Sequence, residues 1–385
     1  MKKMKKVLYI ANFLYREDSG ATSVARTHLD VLINGYGEEC VYTIALIGTY
    51  KKVEPLKNVN FEICSVDSNI LKRGLNLVQG HTGKINRKII SRISRIIQEK
   101  QISIVFFDDS IYGLAIKKLK NKYKDVIFAA YYHDVKRNLC IEWIKKDPKN
   151  TLKYIPLMWN EYLTAQYADY NIVLNKREEK EFVKYYKKDS ELLLPVVLSS
   201  HENTIINVKL DNPIRILFIG GYYYPNVNGI DWFVKKVMSK LGTDFCLTIA
   251  GNGMERLTDK YSNLDNVNVY GRIEDLSEIY EKSDIIVGPI FEGAGMKVKT
   301  AEALSYGKCF IGTDESLEGY FEKLDVTVKD KFIFRCNSDK EFIKTLEEIK
   351  MGTITVSKCN KEVLDFFEAN YSITSAAKFL KSSLK

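Results

Sequence analysis

The stretch DIIVGPIFEGAGMKVKTAEALSYG, residues 284–307, decides how the rest of the chain is read. Residues 284–290 are a short apolar run bounded by turn signals, the pattern of a buried parallel strand. Glu292, Gly293, Ala294 and Gly295 make a glycine-bearing turn, and a helix then opens at Met296 to Val298 and carries Glu302. A strand, a Gly-x-Gly turn and a helix in immediate succession place backbone N–H groups and the positive end of a helix dipole at the carboxyl edge of a parallel sheet, where phosphate groups bind. On this reading Lys297 and Lys299 lie in the first helical turn, where the dipole disfavours cations. They either face a bound anion or stand solvated on the surface.

Working outward, short apolar runs alternate with helix-length amphipathic runs, which is the signature of an α/β fold with parallel sheets. In the first half the expected strands are residues 6–13, 40–48, 59–66, 102–110 and 126–134, then YNIVLN and ELLLPVV, with helices at 20–32, 152–168 and 176–186. The strand VIFAAYYHD ends in His133 and Asp134, at the strand end where such folds concentrate chemistry. The hydrophilic run SSHENTIINVKLDNP, residues 199–213, breaks the periodicity and reads as a linker. Alternation restarts with RILFIGG, followed by a helix at 228–241, the strands FCLTIAGNG and VNVYG, the helix DLSEIYEKS and the opening stretch. After Gly307 come KCFIGT, FIFRC and a helix at 340–351. The expected organisation is two doubly wound Rossmann-like domains: residues 1–200, a linker at 201–213, a second domain at 214–358, and a final helix at 359–385 packing back toward the first.

At 385 residues the chain exceeds what one core usually supports, and 45% hydrophobic with 28% charged residues is the composition of a globular protein. The opening MKKMKKVLYIANFLYRED imitates a signal peptide, but Asn12 interrupts the apolar run and a first buried strand explains it equally well. No run approaches the ~20 apolar residues of a membrane span. Seven scattered cysteines without a C-x-x-C pair suit a reduced, cytoplasmic setting.

Charge is unevenly divided. Residues 1–200 hold 34 Lys+Arg against 22 Asp+Glu, and the remainder holds 24 against 27, so the first half is built to meet anions. Nucleic acid is not indicated, because the basic residues lack aromatic interleaving or a DNA-reading motif. The segment KINRKIISRISR, residues 84–95, sets Ile85, Ile89 and Ile93 at helical spacing among Lys88, Arg92 and Arg95. It is either a basic amphipathic helix for an anionic membrane surface or an ordinary helix that packs its isoleucines on a sheet. No G-x-x-x-x-G-K-[ST] is present, and the loop after the first strand lacks Gly-x-Gly-x-x-Gly, which removes P-loop and dinucleotide chemistry. Adjacent aspartates in FFDDS and four dispersed histidines do not indicate a metal.

What remains resembles the GT-B glycosyltransferases, most closely the retaining enzymes of family 4. The resemblance runs from ILFIGGYYYPNVNGIDWFV through LTIAGNG and VNVYGRIEDLSEIYEKSDIIVGPI to GAGMKVKTAEALSYGKCFIGTDESLEGY, and more loosely through Gly20, His133-Asp134 and NEYLTAQYADYNIVLNKREEKEF in the first half. It implies two domains facing across a cleft, a nucleoside diphosphate sugar as donor, and a glycan or lipid-linked acceptor. No metal or other cofactor is implied.

By resemblance the diphosphate meets Gly293, Ala294, Gly295, Met296, Lys297 and Lys299. Glu302 bonds the ribose, and Arg272 and Ile273 hold the base. Gly20 and Gly221 let loops approach the donor, and His133, Lys297 and Glu292 serve the reacting centre. Glu302, His133 and Glu292 each also read as an ordinary surface or structural residue. The chain departs from the family in two places: Glu292 and Glu302 are separated by nine residues rather than seven, which puts Ala294 where a glutamate is usual, and GGYYYPNVNG carries no base. These departures keep a catalytically inactive partner of an active transferase open as an alternative; a sugar-nucleotide epimerase of the same fold is a further, weaker one.

Overall fold

The computed structural model describes residues 4–15, 20–48, 60–66, 70–82, 85–201, 208–293 and 295–385. The chain divides into two compact units, Met1–Pro195 with Ala376–Lys385, and Val196–Ser375.

The first unit is built on seven strands: β1 (Val7–Ala11), β2 (Val41–Gly48), β3 (Asn60–Val66), β4 (Ile104–Phe107), β5 (Ile127–Tyr132), β6 (Tyr170–Val173) and β7 (Leu192–Leu193). They are parallel in the order β3-β2-β1-β4-β5-β6-β7. β1 and β4 are buried along their whole lengths, so their apolar residues run continuously instead of alternating, as a sheet covered on both faces requires. The helix Arg87–Lys100 supplies part of that cover. The Asn86 side chain caps its start by accepting from the Ile89 N–H, and Ile89, Ile90, Ile93, Ile96 and Ile97 enter the core. The isoleucine face is therefore spent on the sheet, and the lipid-inserting reading of this helix is overturned. Arg92 pairs with Glu62 at 2.6 Å.

The second unit holds β8 (Ile214–Ile219), β9 (Phe245–Ala250), β10 (Val267–Tyr270), β11 (Ile285–Gly288), β12 (Cys309–Gly312) and β13 (Ile333–Arg335), parallel in the order β10-β9-β8-β11-β12-β13. Strand order reverses direction between β8 and β11, and in the first unit between β1 and β4. These are the switch points where loops diverge and a crevice forms at the carboxyl edge. Asp284, fully buried, accepts from the backbone N–H of Arg215 at 2.7 Å and of Asp211 at 3.1 Å, which fixes the start of β11 against β8.

Two boundaries differ from the sequence reading. The helix after β8 spans Tyr224–Lys236 rather than 228–241, because Pro225 falls in its first turn, where a fixed φ and a missing N–H cost nothing. At the far end the helix Lys361–Tyr371 groups with the second unit; only from Ala376 onward, within the helix Ile373–Ser383, does the chain group with the first.

Candidate functional site

The loops that leave β8 and β11 converge on one lysine. Lys299 lies in the first turn of the helix Val298–Ser305, and its Nζ donates to Asn226 Oδ1 at 2.6 Å and stands 4.6 Å from the centre of the Phe218 ring. Asn226 in turn donates from Nδ2 to the Gly221 carbonyl at 2.8 Å, which ties the β8 loop to the same point. A Cβ added at Gly220 would come within 2.9 Å of the Lys299 Nζ, so a side chain there would press on the amine. Gly251, with φ +145°, lets the β9 loop approach as well: a Cβ on it would meet the Gly220 carbonyl oxygen at 2.1 Å. Among the described residues no carboxylate forms an ion pair with Lys299. Burial, and then the neighbouring Lys297, push its pKa down to about 7, with Glu302 pulling the other way. An amine so placed, beside a helix N-terminus, is an electrostatic vacancy for an anion.

Lys297 differs. It occupies the N-cap position, one residue before the helix, rather than the first turn. Its Nζ pairs with Glu315 at 2.6 Å and donates to the Gly295 carbonyl at 3.1 Å, while its own carbonyl accepts from the Tyr320 hydroxyl at 2.9 Å. Gly293 (φ +147°) and Gly295 (φ +65°) shape the turn, and a Cβ at Gly293 would stand 3.2 Å from the Lys297 Nζ. Met296 is buried beneath them, and Ala294 lies outside the described residues.

The other expected donor residues lie in the same unit. Glu302 is half-buried one turn further along the helix, with the Tyr280 hydroxyl 3.5 Å from its Oε2; burial raises its pKa against the pull of Lys299. Tyr280 stacks on Tyr306 (4.4 Å between ring centres, 7°), and His201 stacks on Tyr306 as well (3.9 Å, 16°). Glu292 is exposed and hydrogen-bonds the Tyr224 phenol, raising its pKa. Arg272, exposed, and Ile273, half-buried, follow β10 two strands away from β8.

The first unit gathers its own polar cluster at the ends of β4 and β5. Asp108, fully buried, lies 2.7 Å from His28 Nδ1 through Oδ1 and 3.4 Å from His133 Nε2 through Oδ2, and His133 Nε2 is 3.1 Å from the Asp108 carbonyl oxygen. Burial pushes the Asp108 carboxyl up, but the two imidazoles outweigh it and hold the pKa at about 2. His133 is pushed down by burial and more strongly up by Asp108, so its pKa is raised. Lys136 Nζ lies 2.9 Å from Asp134 and 3.3 Å from Asp109, and Asn12 reaches Asp109 at 3.1 Å. Glu161, also buried, accepts from Ser110 Oγ at 2.7 Å and from the backbone N–H groups of Lys136 and Arg137 at 3.0 and 3.2 Å, at the start of the helix Lys136–Lys146. Gly20 opens the helix Gly20–Tyr36.

Sequence reasoning missed the His28–Asp108–His133 cluster because the three residues come from three separate elements. The available signal was FFDDS at the end of a wholly buried strand, where an aspartate needs a partner. Asn226 and Glu315, the partners of the two lysines, were missed for the same reason.

The comparisons with known proteins fall on this unit and this fold. Residues 213–350 match the family model of glycosyl transferases group 1. The matched stretch lies within the second unit. Over the whole chain the fold is that of GT-B glycosyltransferases. A lipopolysaccharide outer core galactosyltransferase superposes with TM-score 0.67 over 97% of this chain and 98% of its own, at 15% identity. The Anabaena protein HepE in complex with UDP does so with TM-score 0.67 over 98% and 99%, at 10% identity. An uncharacterized 44.6 kDa protein in the cps region of Klebsiella pneumoniae is 26% identical over 238 residues, which is 52% of this chain and 60% of that protein. The matched stretch contains β8, β11 and the lysine pair, and the polar cluster of the first unit lies outside it.

Proposed function

We propose that the chain is a nucleotide-sugar glycosyltransferase that moves a hexosyl group from a nucleoside diphosphate sugar to an acceptor hydroxyl with retention. Lys299 carries the proposal: a half-buried amine that forms no carboxylate ion pair among the described residues, at a helix N-terminus, in a cradle of bare glycine backbone, within the stretch that matches the group 1 glycosyl transferase model. A diphosphate supplies the charge that this place lacks, and fixed donors aimed at a leaving group lower the barrier to its departure. Glu302 is assigned to the ribose, Arg272 and Ile273 to the base, and His133 to the sugar and the reacting centre. HepE is described with UDP and with UDP-glucose, which supports a uridine nucleotide as the first donor to try. The lipopolysaccharide galactosyltransferase supports a glycan or lipid-linked acceptor in bacterial surface polysaccharide synthesis, with the protein at the inner face of the plasma membrane. No described helix is long and apolar enough to cross a membrane, so the attachment proposed is peripheral.

The test is a panel of UDP-, GDP- and ADP-sugars with the purified chain. Donor turnover with and without a chelator, together with nucleotide-dependent thermal stabilisation of ~2.7 kcal/mol at 100-fold the dissociation constant, is the expected result. A folded protein that binds none of them would sink the proposal. A second reading, an inactive partner of an active transferase, is favoured by the engagement of Lys297 with Glu315 and by the exposed position of Glu292. Nucleotide binding without any turnover, and co-purification with a second transferase, would select it.

A further inference from the structure

The helix Thr151–Tyr167 has two unlike faces. Asn160, Glu161, Leu163, Thr164 and Ala165 are buried in the first unit. Leu152, Ile155, Trp159 and Tyr162, spaced i, i+3, i+7 and i+10 on one stripe, are 84%, 51%, 44% and 44% exposed. A solvent-facing stripe at this spacing is ordinarily polar, and a contiguous apolar patch in the open marks a place for something else to bind.

Its neighbours extend the patch. Trp143 is exposed and tilts onto Tyr154 at 4.9 Å between ring centres. Trp159 abuts Gly80, where a Cβ would stand 2.8 Å from the indole ring, and Asn160 fixes that junction by donating to the Gly80 carbonyl at 2.9 Å. The helix Ile70–Val78 ends just before that glycine, with Val78 87% exposed.

The charge around this face is predominantly positive. Between Trp143 and Ile155 the chain reads WIKKDPKNTLKYI, with Lys145, Lys146, Lys149 and Lys153 against the single acid Asp147. All four lysines are exposed, and among the described residues none of them forms an ion pair. Aromatic rings whose polar edges seek water, aliphatic side chains at helical spacing, and lysines beside them are what the boundary between headgroups and acyl chains accepts.

We propose that this face docks the chain on an anionic lipid surface, with Leu152, Ile155 and Trp159 entering the headgroup boundary and the lysines meeting the lipid phosphates. A second copy of the chain is the weaker occupant, because a two-fold contact would set the lysine cluster against itself. The proposal moves the membrane contact from the helix Arg87–Lys100, whose isoleucines are buried, to a helix whose hydrophobic stripe is open. It rests on the proposed function only for the lipid-linked nature of the acceptor.

The test is sedimentation of the full chain with vesicles of phosphatidylglycerol and phosphatidylcholine, and with phosphatidylcholine alone. Binding is expected to the anionic vesicles, weakening with salt. The double variant Leu152→Asp/Ile155→Asp should lose on the order of tenfold in partitioning. Lys145→Gln and Lys146→Gln should each lose about fivefold, the equivalent of ~1 kcal/mol per basic residue. Brominated acyl chains should quench tryptophan fluorescence, and Trp143→Phe/Trp159→Phe, which keeps Trp232, should abolish that quenching. The proposal is overturned by a folded protein that ignores anionic vesicles at low salt, by binding that survives the aspartate pair, or by a solution dimer that the aspartate pair dissociates. Donor turnover measured without vesicles separates the two ideas: it should survive Leu152→Asp/Ile155→Asp, and its absence from the unaltered chain would count against the transferase reading alone.

Discussion

The two sheets bring charge to the same place, the carboxyl edge at a strand-order reversal, and treat it in opposite ways. In the first unit the charges are matched inside the fold: Asp108 lies between His28 and His133, and Lys136 between Asp109 and Asp134. In the second, Lys299 faces an amide oxygen and an aromatic ring. A buried charge with its partners present holds the architecture in one arrangement. A buried charge without them raises the energy of the empty site and waits for a ligand to lower it.

Breaking the matched cluster should have the largest effect. Asp108→Asn leaves two imidazoles without their shared carboxylate in a buried place, and denaturant unfolding should show a loss of about 3–5 kcal/mol. The pH dependence of the unaltered chain follows from the same contacts. Asp108 has a folded pKa of about 2, below the ~3.9 of an unfolded aspartate, so its contribution is present above ~3.9 and disappears as pH falls through the folded value. His133 is shifted upward, so its contribution is full below ~6.5 and is lost as pH rises through its folded pKa. Melting temperatures across pH 2–9 check both signs, and identical curves for Asp108→Asn and the unaltered protein would break the comparison.

Removing the unmatched charge should do the reverse to stability. Lys299→Met takes away an amine that burial disfavours, so the ligand-free protein should melt no lower than the original. Donor turnover should nevertheless fall by about 10²–10³, the usual cost of losing one fixed donor to a leaving group. The amine's folded pKa of about 7 lies below the ~10.4 of an unfolded lysine, so between those values the unfolded chain holds more protons and stability rises with pH. The methionine variant should flatten that rise. UDP binding near pH 8 should draw a proton onto Lys299, readable by calorimetry in buffers of different ionisation enthalpy. Zero proton uptake would detach Lys299 from the diphosphate.

This contrast also marks what could be read from residue order. Continuous apolar runs such as VLYIA and IVFF predict buried parallel strands because both faces of the sheet are covered, and the structure has them. The glycine turn before Lys299 was legible because backbone conformation is a local property of the chain. The identity of each lysine's partner was not, because Asn226 comes from the first turn of the helix after β8 and Glu315 from the loop after β12. Nor could periodicity tell which of two amphipathic helices keeps its apolar face inside. Arg87–Lys100 shows the stronger pattern and spends it on the core, whereas Thr151–Tyr167 shows a weaker one and leaves an apolar stripe open.

A smaller effect separates the ribose assignment from a structural one. Glu302→Gln keeps the shape beside Tyr280 and removes the charge, and loss of one charge-assisted hydrogen bond should weaken donor binding about tenfold. The change belongs in KM for the donor more than in kcat. An unchanged KM with a lower melting temperature would return Glu302 to the Tyr280–Tyr306 packing.

The smallest expected effect asks on which side of the comparison Lys297 belongs. It stands in the glycine turn with Lys299, yet it is matched by Glu315 in a pair whose side chains are only 13% and 15% exposed. If Lys297 serves the diphosphate, binding must draw it from Glu315, and Glu315→Gln removes that competition, so UDP affinity should rise a few-fold. Lys297→Gln should then weaken UDP binding by more than Glu315→Gln strengthens it, since it deletes the ligand contact itself. If Lys297 instead holds the turn through Glu315 and the Gly295 carbonyl, both variants should melt at lower temperature by similar amounts and the affinity of Glu315→Gln should not rise. Titration calorimetry with UDP on the two variants distinguishes these cases, because only a lysine shared between carboxylate and phosphate gives opposite signs when either of its protein contacts is cut.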